Sequence, residues 1–224
     1  MSRVMSAIAA ICVAITATAQ TGIAKVPSAD AIVGYYRFAS GQIVRIENND
    51  SKLSIATRGL VTQFLKSSPE GRFQYTSSPF YLTFDLDSMG VPTTLHLHYE
   101  ELSQPATRID EATFKQDNEA WEIKIKKQTH SPECAATVKQ SIANLQAGEP
   151  NYSKMALGLV RVTRQQLYFL QPALKDLGAV KAVNFVSVDQ SGNEILDVDF
   201  ENGSKRWRVF CLGNDYLLSA GFRM

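Results

Sequence analysis

The amino-acid sequence predicts an α+β protein: an N-terminal antiparallel β-barrel or sandwich, then a C-terminal unit of two helices against an antiparallel sheet. Three observations predict it. Apolar and polar residues alternate with period two through residues 30–110, and turn residues break the runs roughly every ten positions. A helical period appears only after residue 130. Alternation returns from residue 180 in four runs separated by Gly, Asn and Asp.

The elements follow in order. Strands are expected at 32–39, 42–47, 52–58, 61–66, 72–76, 80–87 and 93–101, with a last one near 106–109. Phe80, Leu82, Phe84 and Leu86 point one way, and Tyr81, Thr83, Asp85 and Asp87 the other. Residues 111–131 read as a connector, in which 119–127 forms a strand with Trp121, Ile123 and Ile125 on one side. Ser131-Pro132-Glu133 has the form of a helix start, and Cys134, Val138, Ile142 and Leu145 then share one face up to Gly148-Glu149-Pro150. A second helix is expected over 153–177, broken at Pro172, with Met155, Leu159, Val162, Leu167, Leu170, Leu174 and Leu177 as its core. Strands at 180–189, 194–201, 205–212 and 216–222 complete the second unit, residues 132–224.

Composition narrows the function classes. Of 224 residues, 45% are hydrophobic and 20% charged, ordinary values for a globular chain. The 23 Lys and Arg nearly cancel the 22 Asp and Glu, so no excess of basic charge points to nucleic acid. Residues 1–19 read as a secretory signal peptide: Arg3, a short apolar run, then Ala17-Thr18-Ala19 ahead of cleavage after Ala19. The run is shorter than the ~20 residues that span a bilayer. A periplasmic or extracellular protein without a membrane anchor is therefore expected. Cys12 leaves with the leader, and Cys134 and Cys211 remain, either as one disulfide or as two buried thiols.

Gly34-Tyr35-Tyr36 through Gly41, Leu53, the 80–87 strand and Pro105-Ala106-Thr107-Arg108-Ile109 resemble the lipocalin-like C-terminal domain of serine β-lactamase-like hydrolases of the S12 peptidase type. Leu145 to Tyr152, Thr163-Arg164-Gln165-Gln166-Leu167, Phe200-Glu201-Asn202-Gly203, Trp207-Arg208-Val209 and Gly221-Phe222-Arg223 are similar to the module that follows this barrel, of cystatin-like or NTF2-like pattern. The resemblance implies a barrel and a cone-shaped α+β module. It implies no catalysis, because the hydrolases carry their S-x-x-K in a separate domain. No serine in this chain has lysine three positions on, and G-x-S-x-G and G-x-G-x-x-G are absent.

Other clusters carry weaker signals. His96, His98 and Glu100 share a strand face and are candidate metal ligands, although a solvated face accounts for them as well. His130 and Cys134 are four apart, but the helix start falls between them. Trp207, Val209 and Cys211 share a face that brings Cys211 within reach of Cys134 if the first helix packs there. Arg206 and Arg208 on the other face match a carboxylate binder or a wet strand face, and Asp197, Asp199 and Glu201 a calcium row or the partners of those arginines. The expectation is an exported non-catalytic binding or accessory protein without a cofactor. It would hold a small apolar ligand or dock on an envelope serine hydrolase. An NTF2-like acid–base enzyme and an inhibitor or immunity protein are the alternatives.

Overall fold

The computed structural model describes residues 26–58, 60–213 and 216–222; the expected signal peptide and Cys12 lie outside them. The protein is α+β with a closed barrel. Eight antiparallel strands form the barrel: β1 (Gly34–Phe38), β2 (Ile43–Asn49), β3 (Lys52–Thr57), β4 (Gln63–Ser67), β5 (Phe73–Tyr75), β6 (Tyr81–Leu86), β7 (Pro92–Tyr99) and β8 (Leu102–Ile109). Each pairs with the next, and β8 returns to β1 with Tyr35 opposite Ile109 and Phe38 opposite Ala106. Closure removes the unpaired edges that an open sheet of this length would expose. Inward residues fill the interior, among them Tyr36, Ile46, Leu53, Phe73, Leu82 and Leu95. The turns use the residues their backbone requires: Asp50 and Ser51 both take positive φ in the two-residue β2–β3 loop.

One end of the barrel is shut. The Tyr36 hydroxyl donates to the Ile32 carbonyl at 2.9 Å, and burial pushes its phenol up to about 12. The Arg108 guanidinium donates to the carbonyls of Ala31, Val33 and Pro92 at 3.2, 2.7 and 3.2 Å. Gly34 makes this approach feasible: its φ is +145°, and a Cβ there would lie 3.2 Å from Arg108 Nη2.

The connector is mostly helix: α1 (Glu111–Lys127) replaces the expected strand. Asp110 caps it by accepting from the Thr113 amide at 2.7 Å, and Gln128 ends it in a left-handed conformation. One face lies along the barrel, where Phe114 stacks on Tyr35 at 4.1 Å, Asp117 pairs with Arg37, and Asn118 accepts from Arg58. The same face continues to the second unit. There Trp121 meets Gly192, whose missing Cβ would sit 2.2 Å from the indole nitrogen.

The second unit contains α2 (Cys134–Ala147), a short 3-10 turn (Tyr152–Lys154), α3 (Leu157–Leu177) and a sheet in the order β12-β11-β10-β9. Its strands are β9 (Val180–Val188), β10 (Glu194–Phe200), β11 (Gly203–Leu212) and β12 (Tyr216–Phe222). α3 starts four residues later than expected because Met155 bridges Leu217 and the Ala156 amide donates to the Leu217 carbonyl, holding both residues extended. Pro172 does not break α3. It lies on the exposed face, as does Tyr168, whose carbonyl loses the proline's missing N–H to water rather than to a buried void.

The core of this unit joins Cys134, Val138, Ile142 and Leu145 of α2 to Trp207, Val209 and Cys211 of β11. Cys134 and Cys211 are joined by a disulfide, their Cα atoms 5.6 Å apart. Phe210 faces the other side of β11 by ordinary strand alternation and packs there with Ala156 beside Trp121 and Tyr216, while the register shift opposite Phe210 and Cys211 puts the extra residue on β12.

Asp189 organises the β9–β10 turn. Burial opposes its ionisation, but donors from Arg208, Asn193 and Ser191 hold its carboxyl below the usual range. A lowered native pKa gives stability that is present above the ordinary value and lost as pH falls through the native one. Asp189→Ala is expected to unfold at lower urea than the parent at pH 7, with the gap narrowing below about pH 4. A gap that stays constant to pH 2.5 would contradict this.

Candidate functional site

The end of the barrel opposite Arg108 opens into a cavity of about 430 Å³. Val44, Ile55, Tyr75 and Leu97 form its inner wall, and Gln42, Thr57, Gln63, Ser77 and Ser78 its rim. Gln63 is fixed there, donating to the Val61 carbonyl and accepting from the Ser77 hydroxyl. Burial raises the Tyr75 phenol, so this side chain stays neutral. The loop after β3 adds Leu60 and Val61, which are 50% and 80% exposed.

The N-terminal end of α3 forms the remaining side, through Ala156, Leu157, Gly158 and Arg161. Leu157 packs into the barrel mouth against Phe80 and Tyr99. This placement is held by polar contacts. Gln104 of β8 donates to the Met155 carbonyl at 3.1 Å and to the Tyr216 hydroxyl at 2.7 Å, and Tyr216 donates to the same carbonyl at 2.8 Å. Arg164 donates to Glu100 at 2.7 Å and to Glu101 at 3.1 Å. The cavity therefore lies where the two units meet, with walls from both.

The residues singled out in the sequence lie elsewhere. His96 and His98 do share a face, but Nε2 of each is engaged: that of His96 with Asp85 at 2.7 Å and that of His98 with the Thr83 hydroxyl at 2.9 Å. His98 also stacks on Tyr81. Burial, then His96 and Arg72, depress its pKa. Glu100 is not on that face, because β7 ends at Tyr99 and Glu100 sits in the turn with φ +52°, paired with Arg164. Among the described residues no group of three or more His, Cys, Asp or Glu is placed to hold a metal. His130 rests on Phe185, and Cys134 is taken up by its disulfide with Cys211. Asp197 pairs with Arg206, Asp199 accepts from Asn184, and Glu201 accepts from the Ala179 amide. Arg208 pairs with Asp189.

Two features escaped the sequence reading. Arg161 lies in the arc Leu157, Val160, Arg161, Arg164 that faces the barrel, a charge inside an apolar stripe. Glu194 is 1% exposed, accepts from Lys124 at 2.8 Å and from the Ser131 amide at 2.8 Å, and leaves Oε2 without a partner. Lys124 also donates to the Ser131 hydroxyl at 3.1 Å. A serine beside a lysine suggests a nucleophile and its base, but Lys124 Nζ is engaged by Glu194 at 2.8 Å, and neither Lys124 nor Ser131 lines the barrel cavity. A second, smaller cavity of about 150 Å³ lies between α2, α3 and the sheet. Its lining of Leu145, Leu159, Val162, Leu170, Trp207 and Phe222 with Ser141, Thr163 and Gln166 supplies no carboxylate or imidazole for acid–base chemistry.

No family model, curated protein or solved structure matches the chain. No helix among the described residues is long and apolar enough to cross a membrane.

Proposed function

We propose that this is an exported binding protein whose barrel holds a small, mainly apolar ligand at its open end, without doing chemistry on it. One observation carries the reading: the barrel is a cup, shut by Arg108 and Tyr36 at one end and hollow at the other. Its hollow of about 430 Å³ falls within the size range of small-molecule sites, apolar within and polar at the rim. A lipocalin-like barrel joined to a cystatin-like or NTF2-like module accommodates this arrangement, with α3 of the module as the lid on the cup. Export rests on the leader at residues 1–19.

The neutral dye N-phenyl-1-naphthylamine tests the reading. Its fluorescence is expected to rise on binding the protein, and Thr57→Trp, which places an indole at the rim, is expected to reduce that rise at least several-fold while leaving the melting profile near that of the parent. Binding unaffected by Thr57→Trp would place the dye elsewhere. Docking on an envelope serine hydrolase is the second reading, favoured by Tyr168 and Phe169, adjacent on α3 and 82% and 67% exposed. Absence of dye binding together with co-purification of such a hydrolase would favour that reading over the first.

A further inference from the structure

We propose that the ligand of the barrel cavity is an amphiphile with an anionic head, a single carboxylate on an alkyl chain, with the head on Arg161 and the chain among Val44, Ile55, Tyr75 and Leu97. The proposal rests on the binding reading above and names the ligand class for that site. Three observations converge on it. First, Arg161 is the one permanently charged residue of the cavity lining, which contains no Asp or Glu. An ammonium-headed ligand would meet only repulsion there, and a neutral one would leave the guanidinium unanswered.

Second, Arg161 is unlike every other arginine among the described residues. Arg37, Arg45, Arg72, Arg164, Arg206 and Arg208 each pair with a carboxylate. Arg58 donates to Asn118, and Arg108 to backbone carbonyls. Arg161 has its Nε buried without a hydrogen-bond partner, and its guanidinium carbon lies 5.9 Å from the Phe80 ring centre. A buried donor left unmatched is costly, and a carboxylate entering the cavity would satisfy it in the two-pronged geometry the guanidinium favours. Arg164, one turn on, shows the contrast, since Glu100 and Glu101 already occupy it.

Third, the cavity has the polarity gradient of an amphiphile. Its depth is hydrocarbon and its α3 side is positive, because α3 follows Ala156 with no side-chain cap and no acid in its first turn. Leu60 and Val61 at the rim give an alkyl chain an apolar surface to cross on entry.

Competition against bound N-phenyl-1-naphthylamine at pH 7.5 tests the head-group assignment, with decanoate, decanol and decyltrimethylammonium as competitors. Decanoate is expected to displace the dye at a concentration at least tenfold below decanol, and decyltrimethylammonium to be the weakest. Arg161→Gln is expected to bring decanoate to the level of decanol, Arg161→Lys to retain part of the preference, and Arg206→Gln, at an arginine that pairs with Asp197 and does not line the cavity, to leave it intact. Equal displacement by decanoate and decanol in the parent protein would overturn the assignment while the cup still bound its dye. So would a decanoate preference that survives Arg161→Gln. A parent protein that binds no dye and no decanoate would instead defeat the binding reading itself.

Discussion

Replacing Cys134 and Cys211 together by alanine is expected to lower the stability of the second unit by about 4 kcal/mol, read as a fall in the urea midpoint at unchanged slope. The bridge joins residues 77 apart in sequence and ties the first turn of α2 to β11. The chain between them contains α2, α3, β9, β10 and most of β11, so the cross-link restricts nearly the whole unit when it unfolds. Both cysteines are nearly inaccessible, at 1% and 5% exposure, so alanine also removes two sulfur atoms from a packed core. The native protein is expected to resist mild reductant until denaturant opens this unit, and to lose midpoint once reduced. A midpoint indifferent to reduction under partly denaturing conditions would show that the core alone holds the unit.

Much of the fold was legible where one face of an element is uniformly apolar. Leu82 and Phe84 alternate with Thr83 and Asp85 because β6 has a filled interior on one side and water on the other. Trp207, Val209 and Cys211 were readable as one face for the same reason. α1 was misread because no residue in it is buried and its contact face is half polar. Phe114, Asp117, Asn118, Trp121, Lys124 and Gln128 recur at helical spacing, yet only two of them are apolar, while Trp121, Ile123 and Ile125 mimic a strand. Hydropathy cannot register a helix that docks through ion pairs and amide bonds. The start of α3 was hidden for another reason, since Met155 and Ala156 are good helix residues held extended by β12. The cavity was less legible still. Its walls come from six strands, three loops and α3, and only their meeting in space makes Arg161 more than a charge in an apolar run. The His96, His98 and Glu100 cluster failed for a local reason, a two-residue turn that takes Glu100 off the strand.

Lys124→Met is expected to destabilise the protein by about 2–3 kcal/mol, somewhat below the range for fully buried pairs because Lys124 keeps 21% of its side chain in water. The cost falls on Glu194, which is left at 1% exposure with the Ser131 amide as its remaining donor. Glu194→Gln should cost less, since an amide oxygen still accepts from Ser131 and from Lys124. The double variant should be less destabilised than the two single changes summed, because each single change leaves an unmatched partner. Additive losses would show that the two side chains act independently. The pair also anchors the C-terminal end of α1 to β10, while the opposite end of α1 stacks on β1 of the barrel. Loosening that anchor should let the two units shift against each other at the cavity, whose walls they share. Lys124→Met is therefore expected to weaken dye binding several-fold, although Lys124 does not line the cavity, and Lys115→Met on the exposed side of α1 should not. Loss of stability without loss of binding would mean that Gln104, Arg164 and Leu157 hold the junction by themselves.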